Sequence, residues 1–390
     1  MLTPFTKANG EQVNVWTTFS ADQIDINFSN PAILLESIDI LVMYSVNGGR
    51  SIRLDAIGFI WKVFGSGCIH LPEVHAIIKI WRLILDELVP GTLLITETNV
   101  PHAENISYFG QGDEAHMVYQ FPLPPLTLHA FLRQNSRMLT GWAKGLSEDA
   151  TAAQDCGLKT TYFNFLASHD GIGIRPTEGI LDDAERSFIA TEAERKGGRV
   201  NYKTNIDGST SPYELNINYL SALTEADMCV EEKTKKFVAA QSILLSFVGI
   251  PAIYYHSLLG SENDIVGMES SGINRRINRE KFQLSEIETA LADPTSLRAQ
   301  VFTEMTRLLK VRREQKAFSP ESSQQVLDLG DSLFGLVRGE GTEQITYLLN
   351  LSTKAESVVL PYNGVDLVSG MPMSDTIKLA SYQFIWLKKV

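Results

Sequence analysis

Three short segments hold the residues best suited to chemistry. They are Ser51-Ile52-Arg53-Leu54-Asp55-Ala56, Leu93-Leu94-Ile95-Thr96-Glu97-Thr98-Asn99 and Phe163-Asn164-Phe165-Leu166-Ala167-Ser168-His169-Asp170. Each runs from apolar residues into a carboxylate. A lone charge at the end of a buried strand is costly, so such residues need a partner or a task. Side chains two apart on a strand share a face, which places Arg53 beside Asp55. A neighbouring guanidinium is expected to keep Asp55 ionised, the state required of a nucleophile at an anomeric carbon. Glu97, 42 positions on (97 − 55), is flanked by uncharged Thr96, Thr98 and Asn99. A partly buried Glu with little compensation suits a general acid/base. Two carboxylates roughly 5–5.5 Å apart would give a covalent glycosyl-enzyme and net retention. Asp170, with His169 beside it, could hold sugar hydroxyls as the ring distorts.

Taken singly, each motif has an ordinary reading. An Arg-x-Asp on a strand is often an ion pair, a Glu at a strand end can cap the following helix, and His-Asp is a common dipeptide. The three together, in this order and each closing a strand, favour chemistry on a sugar.

The elements that must position these carboxylates alternate. Asn30-Pro31 opens a helix over 32–47, which Gly48-Gly49 stops, and a strand over 50–55 follows. Leu71-Pro72 begins a second helix with Val74, Ile77, Ile78, Trp81, Leu85 and Leu88 at helical spacing. Pro90-Gly91 ends it before a strand over 92–97. A third strand is expected at 114–121, helical turns over 126–146, and a fourth strand at 160–166. A long polar loop is expected from about 171 to 227. A helix over 231–248 then leads into a fifth strand at 249–255, and another helix covers roughly 296–315. After Phe318 the segments 332–338, 344–350, 356–360 and 383–387 are short, alternating or apolar, and separated by Gly, Asn, Asp and Pro. They read as a small antiparallel β domain. The expected division is therefore residues 1–318 and 319–390. Strand–helix alternation with carboxylates at one mouth describes a parallel β/α barrel of the TIM type, although an open α/β sheet would carry the same pattern.

Bulk composition narrows the partners. The net charge of −12 argues against a nucleic-acid or anionic-membrane partner, and leaves a sugar substrate open. Cys68, Cys156 and Cys229 form neither a disulfide framework nor a metal-ligand spacing, so reduced thiols in the cytoplasm are expected. The uncharged run 237–255 approaches membrane-spanning length, but Gly249 and Pro251 break it. A buried helix followed by a strand is the better reading.

The chain resembles the α-amylase superfamily of glycoside hydrolases (glycoside hydrolase family 13). Arg53-Leu54-Asp55-Ala56, Thr96-Glu97 and Ser168-His169-Asp170 match its best-known segments. The resemblance implies that Asp55 is the nucleophile, Glu97 the acid/base and Asp170 the transition-state stabiliser, with Arg53 and His169 binding the sugar. In detail the chain is similar to the sucrose phosphorylase branch. The segments that carry this are Thr17-Thr18-Phe19-Ser20-Ala21-Asp22-Gln23-Ile24-Asp25-Ile26-Asn27, Cys68-Ile69-His70-Leu71-Pro72, Ser211-Pro212-Tyr213-Glu214-Leu215-Asn216-Ile217-Asn218-Tyr219 and Ile253-Tyr254-Tyr255-His256-Ser257-Leu258-Leu259-Gly260. Within the branch it looks most similar to glucosylglycerate phosphorylases.

Such enzymes move α-glucosyl to inorganic phosphate and release glucose 1-phosphate, without an organic cofactor or a metal. A hydrolase or transglucosidase would use the same three acids, and an inactive fragment could retain them. Gln23, Tyr213 and Glu214 are further substrate-binding candidates by the same match, Tyr213-Glu214 matching the branch's mobile acceptor loop. Arg275, Arg276, Arg279 and Lys203 are candidates for phosphate, with a solvated basic run as the ordinary reading of each. The superfamily's first conserved segment, ending in Asn-His, has no counterpart here. Five strand–helix units against the eight of a closed barrel imply a partial barrel lacking its first strands, with roughly 100 residues or more absent upstream.

Overall fold

Strand–helix alternation is realised in a computed structural model that describes residues 1–205 and 208–389. The chain divides into two units, Met1–Tyr119 and Gln120–Val390.

The first unit opens with an antiparallel hairpin, β1 (Leu2–Thr6) and β2 (Gln12–Trp16). Helix α1 (Pro31–Val46) starts where expected: the Asn30 side chain accepts the Ala32 N–H, and Pro31 occupies the first turn. It leads to β3 (Ser51–Leu54), α2 (Pro72–Leu88), β4 (Leu93–Thr96), the short α3 (His102–Ile106) and β5 (Met117–Tyr119). The apolar stripe of α2 is buried at Val74, Ile77, Ile78, Trp81 and Leu85. By contrast α1 carries apolar side chains beyond its buried positions and leaves Leu35, Met43, Tyr44 and Val46 exposed.

Strands β3, β4 and β5 are parallel, with Arg53 level with Ile95 and Leu54 with Thr96. Pairing continues past β3 through the Glu97 N–H to the Leu54 carbonyl. Leu94 is held on both sides of its peptide by one residue: the His116 N–H donates to the Leu94 carbonyl, and the Leu94 N–H donates to His116 Nδ1 at 3.0 Å. This requires an unprotonated Nδ1. Burial and the nearby Arg82 charge push the His116 pKa from its ordinary 6.5 down to about 4, against the opposing charge of Asp86. Because the folded pKa is depressed, the stabilisation is complete above pH 6.5 and is lost as pH falls toward 4. Thermal melts are expected to show stability declining over that window by about 1 kcal/mol per pH unit from this group. Replacing His116 with Asn should flatten that part of the profile, and an unchanged slope would show that His116 is not its source.

The second unit carries β6 (Thr161–Asn164) after helices α4 (Leu123–Arg133) and α5 (Arg137–Asp155). The 171–227 stretch, expected to be a long loop, is instead largely regular. It contains β7 (Ile172–Gly173), α6 (Asp183–Arg195), β8 (Arg199–Thr204), β9 (Thr210–Asn216) and α7 (Tyr219–Leu223). Asp182 caps α6 by accepting the Glu185 N–H, and Ile189, Ala190 and Ala193 seat it. Strands β7, β9 and β8 form an antiparallel sheet in that order, with a bulge at Asn201/Tyr202.

Helix α8 (Val230–Ser246) is buried over most of its length. The expected fifth strand is only β10 (Ile250–Pro251), parallel to β6, because α9 (Tyr255–Leu258) begins almost at once. Helices α10 (Ile265–Ser271), α11 (Leu284–Ala292) and α12 (Leu297–Arg313) follow. Among the described residues no helix is long and apolar enough to cross a membrane.

The C-terminal residues form antiparallel β structure. Strands β11 (Gln324–Val326), β12 (Leu333–Arg338), β13 (Ile345–Asn350), β15 (Gly364–Asp366), β16 (Pro372–Met373) and β18 (Phe384–Lys389) make one sheet, and β14 (Glu356–Val359) pairs with β17 (Thr376–Leu379). This sheet packs on α8. The Trp386 indole donates to the Ser246 hydroxyl at 2.8 Å, and the buried Arg338 donates to the Ser246 carbonyl at 2.9 Å.

Candidate active site

Within the first unit, Arg53 organises two of the three carboxylates. One guanidinium nitrogen bonds the Asp55 carboxylate, and another lies 3.7 Å from Glu97 Oε2. The guanidinium stacks on the Tyr119 ring, 5.4 Å from its centre. Burial opposes the Arg53 charge, but Tyr119, Glu97 and Asp55 outweigh it and raise its pKa. Asp55 stands just beyond β3, where its side chain is 76% exposed, whereas that of Glu97 is 15% exposed. The next residue, Ala56, has φ +44°, a left-handed conformation costly for a residue with a Cβ. That turn directs the Ala56 N–H to Glu97 Oε2 at 2.8 Å. A reachable carboxylate and a sheltered one thus share a single cation, and Glu97, expected to have little compensation, has both the Arg53 guanidinium and the Ala56 N–H beside it.

The N-terminal candidate Gln23 sits in an exposed turn, where it accepts a hydrogen bond from Ser20. Nearby, Lys62 pairs with Asp25 at 2.6 Å, and Asp25 also accepts from Thr18.

The second unit holds Asp170, His169, Tyr213 and Glu214. Asp170 Oδ1 accepts from Arg275 at 2.9 Å and from Arg279 at 3.4 Å, and His169 Nε2 lies 3.4 Å from Oδ2. The backbone here is also tied. Arg279 Nε donates to the His169 carbonyl, and Asn278 donates to the Ser168 and Asp170 carbonyls at 3.2 and 2.9 Å. Glu214, on β9, has a side chain only 5% exposed and accepts a fork from Arg275, Nε at 3.1 Å and Nη2 at 2.7 Å. Tyr213 precedes it on β9, and its carbonyl accepts the Ile174 N–H. Glycine is required after Asp170: a Cβ at Gly171 would lie 2.5 Å from both Glu214 Cγ and the Leu215 carbonyl oxygen.

Of the expected phosphate-binding cations, Lys203 pairs with Glu178 at 2.5 Å, Arg276 with Asp264 at 3.2 Å, and Arg275 and Arg279 with the carboxylates above. Two features had no expectation attached: the role of Tyr119 under Arg53, and the anchoring by Asn278. Tyr119 ends a strand, which is the one local signal it offers.

A scan against models of known protein families finds no match. Among characterised proteins, the chain is 44% identical over 392 residues to glucosylglycerate phosphorylase of Escherichia coli (strain K12), covering 100% of this chain and 69% of that protein. It is 46% identical over 390 residues to glucosylglycerate phosphorylase of Allomeiothermus silvanus, covering 99% and 68%. Among solved structures, sucrose 6F-phosphate phosphorylase from Thermoanaerobacter thermosaccharolyticum superposes with a TM-score of 0.75 at 22% identity, over 97% of this chain and 70% of that one. The last likeness is one of fold.

Proposed function

The chain belongs to the glucosylglycerate phosphorylase family, in the sucrose phosphorylase branch of the α-amylase superfamily, and from that premise we propose that it is a retaining glycoside phosphorylase acting through Asp55 and Glu97. The observation that carries this reading is the Arg53 guanidinium set against both carboxylates. Asp55 attacks the anomeric carbon of an α-glucoside while Glu97 gives its proton to the departing oxygen, forming a glucosyl ester on Asp55. Inorganic phosphate then attacks the same carbon, the ester bond breaks, and glucose 1-phosphate leaves with Asp55 restored. We assign transition-state stabilisation to Asp170, and sugar contacts to Arg53, His169, Gln23, Tyr213 and Glu214.

We take the strand–helix units within residues 1–318 as the later five of a TIM-type barrel, followed by a β domain over 319–390. The partners are a glucoside and inorganic phosphate, without nucleic acid or membrane, in the cytoplasm.

The test supplies α-glucosylglycerate with and without phosphate. Glucose 1-phosphate that appears only with phosphate is the expected product. Free glucose released at one rate in both conditions would assign a hydrolase, and transfer to added sugars without phosphate a transglucosidase. The absence of any turnover would reject the reading for this chain.

A further inference from the structure

Among the described residues of the second unit, Arg275 is the side chain that bonds both Asp170 and the β9 residue Glu214. Its three contacts use three different nitrogens of one rigid plane: Nη1 to Asp170 Oδ1 at 2.9 Å, Nε to Glu214 at 3.1 Å and Nη2 to Glu214 at 2.7 Å. A planar guanidinium with a two-point hold on one carboxylate has little freedom left in its third donor. Glu214 is buried and cannot be left unpaired cheaply, so the fork is the fixed end of the device. Asp170 is the end it aims.

The surroundings are built to the same effect. Gly171 lets the chain after Asp170 lie flat against Glu214 and Leu215, and β7 pairs with β9 immediately after it. The turn that carries Arg275, Asn274–Asn278, is joined to β8 by an Asn274–Asn201 hydrogen bond at 3.4 Å, and Asn201 donates to Glu214 at 3.3 Å. Arg279, by comparison, holds Asp170 and the adjacent His169 carbonyl.

We propose that Arg275 is a positioning residue, which sets the orientation of Asp170 by referring it to Glu214 and so couples the Asp170 turn to the β8–β9 hairpin. For its effect on turnover this rests on the stabilising role assigned to Asp170; the coupling itself does not. Misplacing a reacting group by about 1 Å costs on the order of a hundredfold in rate, which sets the scale.

The experiment uses the full chain and the variants Arg275→Gln, Arg275→Lys, Glu214→Gln, Arg275→Gln/Glu214→Gln and Asp170→Asn. Phosphorolysis rates, thermal melts and amide exchange are measured for each. Arg275→Gln is expected to lower kcat about a hundredfold with KM little changed. Lys cannot form the fork and should recover little of that loss. The double variant should be no slower than Arg275→Gln alone, because both changes break one device. Amide exchange should quicken about tenfold or more at 171–173 and at 210–216 together, with a lowered melting temperature in Arg275→Gln, where the buried Glu214 charge loses its fork, and partial recovery in the double variant, where that charge is gone.

Multiplying losses, full recovery by Lys, or exchange that quickens in one segment only would overturn the proposal. If Asp170→Asn turns over at the wild-type rate, the role of Asp170 falls, and the exchange result decides the coupling by itself. If the wild-type chain shows no phosphorolysis, the functional reading fails, while the same exchange result still supports or rejects the clamp.

Discussion

Asp55→Asn is expected to abolish the covalent glucosyl intermediate and to lower turnover by about 10⁴-fold or more. The amide is a poor nucleophile, and no protonation state restores it. The cost to the fold should be small. The Asp55 side chain is 76% exposed, so its pair with Arg53 is of the surface kind, worth about 0–1 kcal/mol. The rate loss corresponds to about 5 kcal/mol of transition-state stabilisation. That gap separates a chemical role from a structural one: activity should vanish while the melting temperature moves by a few degrees at most. The measurement is mass spectrometry of the chain after brief exposure to α-glucosyl fluoride. Wild-type protein should carry one glucosyl group on the peptide containing Asp55, and the variant none. An adduct on another residue, with Asp55 intact and unmodified, would reject the assignment.

How much of this could be read in the sequence varies with the range of the interaction. Arg53 and Asp55 are two residues apart on one strand, so period-two alternation places them together without knowledge of the fold. Glu97 was legible as the carboxylate closing the next apolar strand, whereas the register that sets Leu54 beside Thr96, with a carboxylate next on each strand, is given by the fold. The cap of α1 at Asn30 and the buried stripe of α2 are equally local. The β1–β2 hairpin left a legible signal in Asn9-Gly10 between two alternating segments, but its short exposed strands have no apolar run to draw attention.

The 171–227 region misled for a different reason. Its helix α6 is highly charged and buries only three residues, so hydrophobic periodicity is weak, although Asp182 and Glu185 stand at capping-box spacing. Arg275 was visible as a cation and nothing more. Its partners Asp170 and Glu214 are 105 and 61 residues away, and no local pattern encodes a contact of that span. The basic run offered as a phosphate candidate is paired with carboxylates in the fold. The left-handed turn at Ala56 was likewise hidden, because its side chain gives no hint of a positive φ; the Glu97 contact it makes explains why the turn is held.

Glu97→Gln separates the acid from the base half of the proposed cycle. Glu97 Oε2 accepts the Ala56 N–H at 2.8 Å, and Gln keeps an oxygen that can accept it, so the turn behind Asp55 should survive. The amide cannot donate a proton to a departing alkoxide. With α-glucosylglycerate, whose leaving oxygen needs that proton, the first step should slow by about 10²–10⁴-fold. With α-glucosyl fluoride, which leaves as an anion unaided, the loss should be about tenfold or less. The second step then divides by acceptor. Water must be deprotonated as it attacks, whereas inorganic phosphate at neutral pH already offers an anionic oxygen. The variant supplied with glucosyl fluoride should therefore still form glucose 1-phosphate while its hydrolysis is strongly suppressed. Parallel assays of glucose 1-phosphate and free glucose, with both donors, read all four rates. Equal losses for the two donors would remove Glu97 from the acid role. Equal losses for phosphate and water as acceptors would remove it from the base role, leaving Arg53 and the Ala56 turn to account for its position.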